Sequence, residues 1–225
     1  MELAWPREVA AARRQQAELV ASLPPDEPLA GYGAVGGLDV SYSKRLRRVF
    51  ACLVVLDRRG RLLQEVLGTA PLDFPYVPGL LSYREGPACC TAWNKLKQRP
   101  DVLICDGQGR AHPRRLGLAA HLGLVFEIPT IGVGKSRLIG EYVEPGPSKG
   151  ARSELVDPRT GETLGCVLRS RDNVKPLFVS VGVRITLEDA LDVVLEQLDR
   201  FRLPEPQRLA DRRVTARRKA AEEQA

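Results

Sequence analysis

Residues 102–105, Val-Leu-Ile-Cys, form an unbroken apolar run between Pro100-Asp101 and Asp106-Gly107. A run that short, with no polar side and chain breakers at each end, is the signature of a strand covered on both faces. It calls for a layered α/β arrangement, with helices above and below a sheet.

The segments around it read as the other parts of those layers. GAVGGLDVSYS (33–43), VFACLVVLD (49–57) and LLQEVLGTA (62–70) predict three consecutive strands in an antiparallel meander, the last two joined by the turn Arg58-Arg59-Gly60-Arg61. Ahead of them, apolar positions at Val9, Ala12, Leu19, Val20 and Leu23 predict an amphipathic helix over 7–23, ended by Pro24-Pro25. EGPACCTAWNKLKQ predicts a helix over about 84–98, and another is expected from Pro113 or Arg114 to about Leu122. LVFEIPTIGVG (124–134) suggests two short strands, SELVD and TLGCVLRS a hairpin, and KPLFVSVG a further strand. The final helix starts where Thr186 can cap it, with Glu188 and Asp189 in its first turn. Beyond Phe201 the apolar period fades, so the expectation is one mixed-sheet α/β domain over 1–203 and a basic, mobile tail over 204–225. The return of the chain through a helix would set the fourth strand beside the first.

Charge and cysteine usage narrow the class of protein. The chain carries net +6, of which residues 200–225 hold +4, a distribution suited to phosphates and equally to a solubilising tail. Its 225 residues contain no apolar run long enough to span a bilayer, and charges interrupt residues 1–30 before a signal-peptide core could form, so a cytoplasmic address is expected. The five cysteines include no CxxC pair, and free buried thiols are expected.

Three carboxylates stand where packing gives no reason for them. Asp39 lies inside Gly37-Leu38-Asp39-Val40, Asp106 ends the apolar strand, and Glu85 opens a helix after a proline-rich loop. Singly, each has an ordinary reading, as a hydrogen-bonding aspartate, a strand-end turn and a helix N-terminal acid. Together they offer the oxygen ligands that Mg²⁺ or Mn²⁺ prefers, and such an ion on a phosphate serves phosphodiester hydrolysis. The loop at 73–83 mounts Tyr76 between prolines, a stiff base for an aromatic wedge or else a packed loop. GQGRAHPRR (107–115) pairs small residues with His112 and three arginines, donors that could hold phosphates. GVGKS (132–136) lacks the full phosphate-loop spacing, which leaves Lys135 as a phosphate contact or a solvated lysine. His121 reads as a helix-surface histidine.

GGLDVSY, PYVPGLLSYREGPA, DVLICDGQGRAHPRRLGLAAHLG, IPTIGVGKS and VSVGVRITLEDA, in that order, resemble endonuclease V over about residues 5–200. The resemblance implies a ribonuclease H-like α/β fold, a mixed five-stranded central sheet flanked by helices with extra strands from the C-terminal half. It implies cleavage of the second phosphodiester bond 3′ to hypoxanthine in DNA, and in some members RNA; the sequence itself calls for no membrane and no obligate protein partner. It assigns Asp39, Glu85 and Asp106 to a Mg²⁺ centre that Mn²⁺ can also fill, and Tyr76, Val77 and Pro78 to a strand-separating wedge. Gly79, Leu81, Gly109, His112 and Gly117 would line or support the base pocket, and Lys135 would lie near the active phosphate. One block departs: where the family has Gly-His-Arg, this chain has Gly182-Val183-Arg184, which puts valine in the place read as an active-site histidine. A rival reading follows, a lesion-binding module with weakened or lost cleavage.

Overall fold

The computed structural model describes residues 4–225. After helix α1 (Val9–Ala21), strands β1 (Ala34–Ser43), β2 (Arg48–Asp57) and β3 (Leu62–Pro71) form the expected meander. Asp57 closes the β2–β3 turn, its Oδ1 accepting from the backbone N–H groups of Arg59 and Arg61. Gly60 follows at φ 81°, a left-handed conformation that glycine adopts without a Cβ clash. Helix α2 (Leu81–Trp93) crosses to β4 (Val102–Asp106), which lies parallel to β1 with Leu38 opposite Cys105. Helix α3 (Leu118–Phe126) leads to β5 (Thr130–Gly134), parallel to β4. Strands β6 (Arg152–Val156), β7 (Thr163–Leu168) and β8 (Leu177–Val183) continue the sheet, whose order is β3-β2-β1-β4-β5-β8-β7-β6. The first five strands form the mixed ribonuclease H-like core, and the C-terminal half adds the other three.

Side-chain alternation divides the sheet into two covered faces. Leu38, Ala51, Leu53, Val55, Leu103 and Cys105 pack against α2 and α3. On the other face Val102, Ile104, Ile131 and Val179 meet α4 (Leu187–Glu196), which Thr186 caps by accepting from the Asp189 N–H at 3.1 Å. Phe50, Cys52 and Val54 on that same side meet Ala210 and Val214 of α5 (Glu205–Glu223). All five cysteines are free, four of them buried and Cys90 half-buried. Among the described residues no helix is long and apolar enough to cross a membrane.

Four local expectations change. Residues 204–225, expected as a mobile tail, form α5, seated so closely that a Cβ on Gly37 would lie 2.1 Å from the Pro206 carbonyl carbon. Its apolar stripe is small, Pro206, Ala210 and Val214 among charges, which is why the period seems to fade in the sequence. Leu124–Phe126 is the last turn of α3 rather than a strand, because a short apolar run fits either period and Glu127 ends the helix at φ 58°. α3 starts at Leu118, since residues 109–117 fold back on themselves, with Gly117 N–H donating to Gly109 O at 2.9 Å. α2 begins three residues ahead of expectation and stops at Trp93.

Candidate active site

The parallel register of β1 and β4 brings Asp39 and Asp106 side by side. Leu38 is opposite Cys105, so the next residues are lateral neighbours on strands about 4.8 Å apart, facing α5. Asp39 is 7% exposed, and its Oδ1 accepts from the Val40 N–H at 2.6 Å. Burial, then the charge of Asp106, pushes its carboxyl well above the usual range, and a hydrogen bond to Asp211 of α5 acts in the same direction. Asp106 is held from two sides, by the Lys135 ammonium at 2.6 Å and by the Gln207 amide of α5 at 2.9 Å. Burial opposes the charge on Lys135, but Asp106, Asp39 and Asp211 outweigh it and raise its pKa.

Glu85 reaches this centre from α2, on the opposite face of the sheet. It is 6% exposed, and Tyr42 of β1 donates its phenolic hydrogen to Glu85 Oε1. Burial pushes Glu85 up to about 7; the Tyr42 bond opposes this, and the charge of Asp106 adds to it. Among the described residues no three His, Cys, Asp or Glu side chains are closed into a ligand cluster. The donor set nevertheless fits a hard cation: oxygen ligands, buried, repelling one another and only partly neutralised by Lys135.

Asp211 and Gln207 were missed by sequence reasoning because their segment read as a tail. The signal was present at helical spacing, since both follow a buried small residue, Pro206 and Ala210, four apart.

Val183 does not belong to this centre. Strand β8 runs antiparallel to β5 with Val183 opposite Thr130, whereas Asp106 is level with Val133, about 10 Å along the strands. Val183 is fully buried, and a Cβ on Gly123 of α3 would lie 2.4 Å from its Cγ2, so it packs on the face away from α5. The reading of position 183 as an active-site position is thereby corrected, and the position contacting Asp39 falls to Asp211.

One turn ahead of Glu85 on α2, and two residues beyond Asp106, Leu81 and Gln108 line a cavity of about 120 Å³ shared with Tyr76, Val77, Pro78, Gly79, Ser82, His112, Leu116, Gly117, Leu118 and Leu138. That is roughly the volume of four waters, the scale of a single small ring system. Tyr76 stands at its mouth, 72% exposed. Gly79 has φ 79°, and its carbonyl accepts from Arg114 at 2.7 Å and Gln16 at 3.1 Å. His112 is buried; its Nδ1 accepts from the Arg114 N–H at 3.2 Å and its ring also bonds the Gly79 backbone. Burial first, then Arg114, pushes His112 down to about 4, so the ring is neutral near pH 7. Gly117 lines the cavity, and a Cβ there would meet Gln108 O at 2.3 Å, which leaves room for glycine alone. Gly109 is behind the wall, against the Val181 carbonyl.

The three arginines of GQGRAHPRR hold the fold together instead of facing outward as phosphate donors. Arg110 pairs with Asp26 at 2.8 Å, Arg114 with Gln16, and Arg115 with Asp157 at 2.8 Å. His121 is buried rather than on the helix surface. Its Nδ1 is 2.9 Å from Ser82 Oγ, and its ring lies among Trp5 and Tyr83.

The endonuclease V family model matches residues 15–212. The endonuclease V of Alkalilimnicola ehrlichii is 52% identical over 184 residues, 81% of this chain and 80% of that one. That of Azotobacter vinelandii is 44% identical over 95% of this chain and 96% of its own. The crystal structure of endonuclease V from Streptomyces avermitilis superposes with a TM-score of 0.90 at 39% identity, over 99% and 97% of the two chains. Ciona intestinalis endonuclease V, in complex with a 24mer DNA containing an inosine followed by a ribo-adenosine, superposes at 0.81 and 28% identity over 96% and 100%. With the sheet order, the paired carboxylates and these likenesses in agreement, the chain belongs to the endonuclease V family and is an endonuclease.

Proposed function

We propose that this enzyme cuts DNA at the second phosphodiester bond 3′ to deoxyinosine, with Mg²⁺, or Mn²⁺ in its place. The observation that carries the reading is the lateral pairing of Asp39 with Asp106 beside a cavity the size of one base. Asp39 and Asp106 would hold the cation, with Glu85 of α2 and Asp211 of α5 as further oxygen donors from the two faces of the sheet. When bound, the cation activates water and neutralises charge on the leaving 3′ oxygen. Lys135 has its ammonium on Asp106 and can transfer it to the incoming phosphate. Tyr76, Val77 and Pro78 wedge into the stack, and the flipped hypoxanthine enters the cavity between Gly79 and Gly117. The neutral His112 steadies the Gly79 carbonyl at its wall. Inosine in RNA is a second substrate of the same pocket, since the base is common to both, and a cytoplasmic address completes the proposal.

The rival reading, a binder without cleavage, rested on Val183 and loses its ground with that residue in the core. Cleavage of an inosine duplex, an adenine duplex and an inosine RNA, each with Mg²⁺ or EDTA, tests the proposal. One cut per inosine strand, metal-dependent and leaving 3′-hydroxyl and 5′-phosphate ends, is expected. Equal cutting of the adenine control, or cutting in EDTA, would overturn it.

A further inference from the structure

Strand β4 stops at Asp106, level with Asp39, but β1 and β2 stay paired for four more residues, to Ser43 opposite Arg48. The hairpin therefore stands about 13 Å beyond the carboxylates, at about 3.3 Å per residue. Its tip reads Lys44-Arg45-Leu46-Arg47-Arg48, four cations in five residues in a chain of net charge +6. All four are exposed, and none has a carboxylate partner among the described residues.

The tip is built rather than loose. Buried Ser43 accepts from the Leu46 N–H at 3.1 Å, Arg47 N–H donates to Lys44 O at 3.3 Å, and Arg47 O accepts from Leu72 N–H at 2.9 Å. Leu46 packs into the cluster of Phe50, Ala210 and Val214 beneath α5. α5 follows β1 outward, with Pro206 on Gly37, Asp211 at Asp39 and Arg218 Nε 3.0 Å from Ser41 Oγ. Arg217 of α5 and Arg48 of the hairpin consequently line one open groove. Arg213 and Arg218 are neutralised by Glu65 and Glu222, whereas Arg217 is left exposed.

We propose that the β1–β2 tip, with Arg217, is a phosphate-backbone contact that holds nucleic acid about four nucleotides from the cut, at about 3.4 Å of duplex axis per nucleotide, and adds affinity without regard to base. The inference rests on the nuclease reading for the position of the scissile phosphate. The four cationic side chains are left uncompensated on a fixed turn, at the end of the sheet beyond Asp39 and Asp106.

The test is the full chain carrying Lys44→Gln, Arg45→Gln and Arg48→Gln. Arg47 is retained because its backbone is left-handed, at φ 48°. On undamaged duplex between about 50 and 200 mM salt, the slope of log affinity against log salt should become shallower by up to about 3, with binding roughly tenfold weaker at the low end. The inosine-to-adenine binding ratio and the cleavage rate at saturating enzyme should not change. Shortening one arm of the duplex below about four nucleotides from the cut should weaken the wild type and leave the variant indifferent. An unchanged salt slope with an unchanged melting temperature overturns the proposal, as does a collapsed inosine ratio. A wild-type protein that leaves inosine DNA uncut overturns the nuclease reading alone, and the slope on undamaged DNA still decides this one.

Discussion

The carboxylate centre and the base cavity adjoin one another, yet they are built on opposite principles. The centre gathers charges that repel, Asp39 against Asp106 with Glu85 and Asp211 nearby, and holds them with one lysine and one glutamine. The cavity is nearly chargeless, its walls mostly apolar side chains with Gly79, Gly117 and a histidine kept neutral among them. In the proposed function the first region would keep electrostatic energy in reserve for a cation and a phosphate, and the second would offer shape and backbone groups to a neutral base. Binding and chemistry should therefore separate under mutation.

The largest separation is expected from Asp106→Asn. The fold keeps a side chain of equal size, the cation loses a ligand, and cleavage falls a thousandfold or more, equivalent to about 4 kcal/mol. Binding to an inosine duplex, measured in Ca²⁺ by anisotropy, should persist or improve, since one negative charge facing phosphate is gone. Parallel loss of both would break the comparison.

Next comes a position outside both regions. Val183→His puts an imidazole into a fully buried site between β8 and α3, and stability should drop by about 2–4 kcal/mol by denaturant titration, with no gain in cleavage. A faster enzyme would return Val183 to the active centre.

Tyr76→Ala addresses the recognition side. At 72% exposure Tyr76 contributes little to folding, so the melting temperature should shift by the equivalent of less than about 1 kcal/mol. Loss of a stacking wedge worth about 1–3 kcal/mol should weaken inosine-duplex binding roughly 5- to 150-fold. A large fall in melting temperature with unchanged binding would make Tyr76 a packing residue.

At neutral pH the smallest effect concerns the cavity's support. Burial pushes His121 down to about 3, against about 6.5 in an unfolded chain. Between those values the unfolded chain binds a proton that the folded one refuses, so stability falls as pH falls from about 6.5 towards 3, by up to about 1.4 kcal/mol per unit. His121→Asn should flatten that part of the stability–pH curve relative to wild type; identical slopes would show that the ring is protonated in the fold.

Much of this architecture was legible because local pattern and tertiary role coincide. The apolar run 102–105 announced a covered strand, and Asp39 and Asp106 stood out as acids with no packing reason to be there. The resemblance of five ordered blocks then gathered the cavity residues. Asp211 was not legible, because a helix whose buried stripe is Pro206, Ala210 and Val214 looks like a charged tail until the sheet beneath it is known. Val183 misled for a related reason: a motif gives sequence position, while the antiparallel return of β8 decides which end of the sheet the residue occupies. The arginines of 110–115 look like phosphate ligands in sequence, and only the fold reveals Asp26, Gln16 and Asp157 as their partners.

The central claim is that Asp39 of β1 and Asp106 of β4, with Glu85 of α2 and Asp211 of α5, form one divalent-cation site, and magnesium-dependent thermal melting tests it without substrate. Millimolar Mg²⁺ should raise the melting temperature of the wild type by several degrees, because a cation that binds only the folded state relieves the repulsion between Asp39 and Asp106. In EDTA, Asp106→Asn should melt at or above the wild type, and Mg²⁺ should no longer shift it. An equal magnesium shift in both proteins would place the cation elsewhere and contradict the account.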